Sequence, residues 1–226
     1  MATPDSPAAP GRRTYRQVAR ADRARDTRAR VVAAAGELFE TRGYAGTTVR
    51  EIAAAAGVSV ETVTGLGRKR DLLFAALQDR FLGEGVEASL LPVLGFGAAG
   101  TPPVPAEPPE AIVARLVAAA TEAFGRSVGI WRAFTAAANV EEEVAAVRAE
   151  ALAARRRDLL ALLDVLAAAG SALPRDRGAL ADAIGLLTSH DAYDHLVSGC
   201  GWTPAAYRDW ATGAVLAEIA RAAPGS

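Results

Sequence analysis

The sequence predicts an all-α protein of about nine helices, and three observations predict it. Alanine dominates the 226 residues while β-branched runs stay short, a composition that favours helix. Apolar residues recur at spacings of three and four through most of the chain. Gly, Pro and Ser/Thr residues punctuate that periodicity where helices are expected to start and stop.

Residues 1–20 carry Pro, Gly, Ser and a basic cluster (Arg12, Arg13, Arg16, Arg20) without apolar periodicity, and read as a flexible basic tail. A first helix is expected over 22–41, where Val31, Val32, Ala35, Leu38 and Phe39 form one apolar stripe before Gly43 ends it. Thr48 followed by Glu51 is a capping box, opening a short helix over 49–56 that Gly57 closes. Ser59 then caps another short helix through about Thr64. A longer connecting helix is expected over 69–91, through Leu72, Leu73, Ala76, Leu77 and Phe81. The Pro/Gly-rich stretch 92–109 has too little periodicity for an element and reads as a mobile loop.

Further helices are expected over 111–124, 127–138, 141–169, 174–198 and 204–222. The third of these opens on Glu141, Glu142 and Glu143 and carries Arg155, Arg156 and Arg157 in its second half, which complements the helix dipole. Gly199, Cys200 and Gly201 interrupt the chain before Thr203-Pro204, an N-cap followed by an N1 proline. The divisions expected are therefore a tail at 1–20, a front helical domain at 21–68 and a rear helical domain at 69–226, to which the motifs below assign DNA binding and the resemblance below assigns ligand binding and dimerisation.

A 51% hydrophobic and 23% charged composition supports a packed soluble core. A single cysteine, Cys200, excludes a disulfide framework within one chain and suits a cytoplasmic protein. It has no basic neighbour in sequence of the kind that activates a thiol. No apolar run approaches the ~20 residues that span a bilayer. Net charge is −1, yet residues 1–80 carry an excess of five positive charges and residues 81–226 an excess of six negative ones. A basic front suggests an anionic partner there.

The segment 48–64 is a helix, a Gly-containing turn and a second short helix, the helix-turn-helix signature. In that motif the second helix enters the major groove and the first crosses the backbone. The string RARVVAAAGELFETRGYAGTTVREIAAAAGVSVETV resembles the N-terminal domain of the TetR family of bacterial transcriptional regulators. The spacing of Leu38-Phe39, Gly43-Tyr44, Thr47-Thr48, Ile52-Ala53, Ala56-Gly57-Val58-Ser59 and Thr62-Val63 carries the likeness. SGCGWTPAAYRDWATGAVL is similar to the last loop and helix of many members.

One part departs from the family pattern. Where the family continues with Tyr, one residue, His-Phe, a small turn and Lys, this chain has Thr64-Gly65-Leu66-Gly67-Arg68-Lys69. Removing one residue from the alignment puts Leu66 at the Phe core position and Lys69 at the phosphate-contacting Lys; without a gap, Gly67 and Arg70 take those places. The gapped form avoids a hole where a ring normally packs. The resemblance implies DNA contacts from Thr47, Thr48, Arg50, Ser59, Val60, Glu61, Thr62 and Thr64. Arg68, Lys69 and Arg70 are expected to compensate on phosphates for the missing tyrosine. Glu61 can accept from a cytosine amine and Val60 can meet a thymine methyl, or Glu61 is a solvated acid at a helix start. The basic tail is either a minor-groove arm or a solubilising extension.

The family likeness further implies a homodimer through the last two helices, with Leu180, Ile184, Leu187, Val215, Leu216 and Ile219 as apolar stripes, reading a pseudo-palindromic double-stranded DNA operator. It implies a pocket for a small, mostly apolar effector, with Phe124, Trp131, Phe134, Leu163, Leu166, His190 and Tyr193 as candidate contacts and His195 as a further polar one; the alternative for each aromatic is that it is simply core. His190/Asp194 and Asp191/His195 are i,i+4 pairs, too few ligands per face for a closed metal site. No metal, cofactor or membrane partner is expected. No phosphate loop, nucleophile elbow or zinc-protease motif occurs, so no enzyme is expected. The function expected is a DNA-binding transcriptional regulator, a repressor released by ligand. The rival is a helical ligand-binding or protein-interaction dimer with weak or non-specific DNA binding.

Overall fold

A computed structural model describes residues 12–82 and 107–223, and every regular element among them is helical. Residues 92–106 of the loop expected over 92–109, the end of the connecting helix and the first residues of the tail lie outside the described residues. Helix α1 spans Arg12–Arg42, α2 Val49–Ala56, α3 Val60–Leu66 and α4 Lys69–Leu82. Helix α5 spans Pro109–Ala138, α6 Glu142–Ala168, α7 Gly178–Leu187, α8 His190–Tyr193 and α9 Pro204–Arg221, with a π-helical stretch Asp194–Gly199 continuing α8.

The predicted punctuation of the front half is present. Thr48 accepts from the Glu51 amide while Glu51 accepts from the Thr48 amide, a complete capping box. Ser59 accepts from the Thr62 amide at the start of α3. Gly57 closes α2 in the left-handed conformation (φ 64°), where its amide reaches the Ala53 and Ala54 carbonyls.

Three expectations are corrected. Helix α1 begins at Arg12, inside the stretch read as tail. No breaker follows Gly11, and the Arg/Ala/Gln-rich run that does follow propagates helix without an apolar stripe to announce it. The two helices expected over 111–138 are one, α5. Gly125 marks close packing there: a Cβ on it would meet the Tyr193 hydroxyl at 3.3 Å. Gly129 does the same against the Glu40 side chain, also at 3.3 Å. Finally, the helix expected over 174–198 begins at Gly178 and breaks at Thr188-Ser189. The Thr188 hydroxyl donates to the Ile184 carbonyl, and Ser189 caps α8 by accepting from the Ala192 amide.

Two clusters make the core. In front, Val31, Ala35 and Phe39 of α1 pack with Ile52 and Ala53 of α2, Val63 of α3, and Leu72 and Leu73 of α4. Behind, Ile112, Val117 and Phe124 of α5 pack with Leu163 and Leu166 of α6, Ile184 of α7, and Tyr207 and Val215 of α9. The later half of α5 (Ile130, Phe134, Ala137) and Val144 of α6 belong to the front cluster. Two long rear helices are therefore built into the base of the front unit, which gives them mechanical access to α3 and α4.

Candidate functional site

Helix α3 is held from beneath and open above. Val63 is fully buried against the front cluster, and Leu66 packs on its edge, as the gapped alignment anticipates. Val60, Glu61 and Thr64 are exposed, as are Thr48 and Arg50 on α2 and its cap. The Thr64 hydroxyl donates back to the Val60 and Glu61 carbonyls at 3.1 Å each, so its hydrogen is committed to its own helix and only its lone pairs face outward. Ser59 and Thr62 share a hydroxyl–hydroxyl contact of 3.1 Å beside the cap. The Glu61 carboxyl is held below its ordinary value by its own backbone amide and then by Ser59. It stays ionised and can only accept hydrogen bonds.

Other residues expected at DNA are engaged elsewhere. Thr47 is 1% exposed and donates to the Leu38 and Gly43 carbonyls, closing the turn between α1 and α2. Lys69 also belongs to that turn: its ammonium donates to the Tyr44 carbonyl (3.0 Å) and the Thr47 carbonyl (3.2 Å) and lies 4.0 Å from the centre of the Tyr44 ring. Arg68 and Arg70 both pair with Glu143 near the start of α6, the first at 3.2 Å. The basic cluster that the sequence offers to phosphate is thus tied to the protein itself.

The Lys69 geometry has a measurable consequence. Lys69→Met takes the ammonium from two carbonyls, of which that of Tyr44 keeps the Thr47 amide (3.3 Å), and is expected to lower folding stability by about 1–2 kcal/mol in denaturant titrations. The salt dependence of DNA binding is expected to stay unchanged. Intact stability with a shallower salt slope would instead place Lys69 on phosphate.

In the rear domain a cavity of about 450 Å³ opens between α5, α6, α7 and the start of α8. Of the effector contacts expected from the sequence, it brings together Trp131 and His190, whose rings stack 4.5 Å apart at 14°. Phe124, Phe134, Leu163, Leu166 and Tyr193 do not line it. They are buried in the two core clusters, with Phe124 against His190, Tyr193 and Tyr207. The residues that sequence reasoning missed are Arg148, Arg155 and Arg156 of α6, the last two read there as part of a charge gradient along a helix and the first not singled out. Arg156 pairs with Asp182 at 2.6 Å. Arg155 donates to the Thr188 carbonyl and hydroxyl, fastening α6 to the break after α7. Burial holds the Arg155 guanidinium below its ordinary value, against small opposing effects of Tyr207 and Asp158.

The i,i+4 pairs at 190–195 are dispersed among neighbours. His190 Nε2 lies 2.8 Å from the Ser127 hydroxyl, Trp131 Nε1 donates to Asp191 at 2.7 Å, and Arg132 clasps Asp194. The Ser127 hydroxyl donates to the Ala123 carbonyl, so His190 Nε2 supplies the hydrogen of their contact. Burial, and then the charge of Arg155, push the His190 pKa down to about 3. Cys200 is exposed with His195 Nε2 3.8 Å from its sulfur, a basic neighbour five residues back that adjacency in sequence did not reveal. The expected dimer stripe is only partly available: Leu180, Ile184 and Val215 are buried in the chain's own core, while Leu187, Leu216 and Ile219 are half-buried.

These elements define a helix-turn-helix unit set on a helical bundle. Residues 31–76 match the family model of the bacterial regulatory proteins, tetR family. No curated protein matches the chain. Among solved structures it is similar to a transcriptional regulator from Rhodococcus sp. Rha1, at 22% identity over 86% of this chain and 95% of that one, with a TM-score of 0.58. A candidate TetR-family transcriptional regulator from Rhodococcus sp. matches at 18% identity over 86% and 98%, with a TM-score of 0.65. Another from Mesorhizobium loti matches at 18% over 88% and 98%, with a TM-score of 0.63. At these identities the likeness is one of fold. Among the described residues no helix is long and apolar enough to cross a membrane.

Proposed function

We propose that the chain is a sequence-specific DNA-binding transcriptional regulator, a homodimeric repressor released by a small molecule in its rear domain. The observation that carries this reading is α3: capped by Ser59, anchored by buried Val63, and presenting Val60, Glu61 and Thr64 outward. A second copy joined through α7 and α9 would present two such helices to a pseudo-palindrome. Exposed Gly213, Ala217 and Ala220 on α9, beside half-buried Leu216 and Ile219, leave room for close helix approach.

Release by ligand needs a part that senses the cavity and touches the front. Helix α6 does both, with Arg148 and Arg155 at the cavity and Glu143 on Arg68 and Arg70. A ligand shifts this arrangement only by binding one position of α6 better than another.

Fluorescence anisotropy with the intergenic DNA beside the gene, across salt and against scrambled DNA, tests the reading. A preference of ~10³ or more at physiological salt is the expected result. Equal, weak and steeply salt-dependent binding to both would favour the second reading, a helical ligand-binding dimer with little DNA specificity. One observation supports that rival: Arg68, Lys69 and Arg70 already have protein partners.

A further inference from the structure

Two guanidinium groups at the 450 Å³ cavity each have an enclosed nitrogen that lacks an acceptor. Arg148 and Arg155 both line it, and in each the Nε is enclosed with no hydrogen-bond partner among the described residues. Neither makes a salt bridge there. The cavity does contain carboxylates, but both are occupied: Asp182 holds Arg156 and Asp191 accepts from Trp131. Arg155 feels the charge of Asp158 and donates to Thr188 through its terminal nitrogen, but its Nε and that of Arg148 have no acceptor, and an enclosed donor left so is costly whereas the same donor on an anion is not. The site is therefore suited to an anion.

The remaining lining says what that anion is attached to. Leu159 and the stacked pair Trp131 and His190 form apolar walls, and Leu152 and Leu186 stand exposed at the same cavity, Leu186 at 69%. Gly185 keeps the α7 wall open, since a Cβ there would come within 3.2 Å of Leu159. The volume lies in the range of small-molecule sites, ~300–1,000 Å³.

We propose that this cavity binds an organic carboxylate, its apolar body lying along Trp131 and the leucines and its carboxylate on Arg148 and Arg155. The proposal rests on the reading of the rear domain as an effector domain and replaces a mostly apolar effector with an amphipathic acid. A carboxylate suits the pair because its oxygens accept charge-assisted hydrogen bonds from the in-plane N–H groups of a guanidinium, including each enclosed Nε. It would also lie beside the helix that carries Glu143, and so reports its arrival to Arg68 and Arg70.

The test is calorimetric titration of the full-length protein, without DNA, with 1-naphthoate and decanoate against their neutral counterparts 1-naphthamide and decanol. Both acids are expected to bind about tenfold or more tightly than the neutral partners. Arg148→Met and Arg155→Met are each expected to weaken acid binding about tenfold and to leave the neutral compounds unaffected. Arg155 also fastens Thr188, so a cooperative melt is checked for both variants; Arg148 makes no hydrogen bond among the described residues, and its variant carries the test if Arg155→Met unfolds. Equal binding of acid and amide, acid binding indifferent to both substitutions, or no acid binding at millimolar concentration would each overturn the proposal. Because these titrations contain no DNA, acid binding without operator binding would sink the regulator and keep the carboxylate site. Operator binding without acid selectivity would do the reverse.

Discussion

Lowering the pH from 7.5 to 5 is expected to destabilise this protein by about 2 kcal/mol, and His190→Gln to remove most of that loss. The unfolded chain's histidine titrates near 6.5, whereas buried His190 does so at about 3. Between those values the unfolded state binds a proton that the folded state refuses, so stability rises with pH through this window. The contribution is complete above about 6.5 and is lost as pH drops toward 3, where the loss amounts to about 4 kcal/mol by the same linkage. The refusal has two causes on the page. The ring is enclosed by Phe81, Phe124 and Trp131, and the nearby Arg155 charge repels a second cation. Carboxylates confuse the measurement little above pH 5. Asp194, whose pKa Arg132 lowers from 3.8, keeps its contribution down to about that unfolded value, below the pH 5 end of the comparison. Denaturant titrations at the two pH values, on wild type and variant, decide the matter. An equal pH loss in both would mean that His190 is protonated in the folded protein or that another group titrates.

The same histidine shows which parts of this chain could be read in advance. Thr48, Glu51, Ser59 and Thr203 act on atoms three residues away, and each cap is present as the sequence predicts. Val31, Ala35 and Phe39 are buried because a 3.6-residue period alone decides which side of a helix they occupy. Gly125 and Gly129 were opaque: a glycine that ends a helix and one that admits a neighbour look alike until the neighbour is known, and here the neighbours are Tyr193 and Glu40. Choosing effector contacts by apolarity selected Phe124, Phe134, Leu163, Leu166 and Tyr193, which fill the core for the same reason they attracted attention. The cavity instead takes Arg148 and Arg155, whose character depends on which carboxylates fold beside them and which of those are already paired. Arg68 and Arg70 were legible as charge but not as free charge, because Glu143 lies more than seventy residues further along the chain.

Glu143→Gln is expected to tighten DNA binding about tenfold at low salt and to steepen its salt dependence. Arg68 and Arg70 follow directly on α3, and in the unbound protein both converge on one carboxylate. Hydrogen bonding from Arg70, followed by the charges of Arg70 and Arg68, holds that carboxyl below its ordinary value, so it is ionised at any pH at which DNA binding would be measured. The pairs are exposed enough that solvent screens them, and loss of such pairs changes folding stability little. The substitution therefore separates binding from folding. Each arginine that transfers to a phosphate releases counterions and adds about 0.9 to the magnitude of the slope of log K against log salt, to a limit of about 1.8 for both. If α6 is the lever between cavity and operator, the same change also shrinks the difference in DNA affinity between ligand-free and ligand-bound protein, because that difference is transmitted through the position of Glu143. Arg68→Gln and Arg70→Gln made in the Glu143→Gln background should return the slope stepwise. An unchanged slope would mean that neither arginine reaches DNA and that Glu143 only braces two helices. A steeper slope with an undiminished ligand effect would keep the arginines at the phosphates and move the lever to α5, whose Ile130, Phe134 and Ala137 pack directly beneath the front unit.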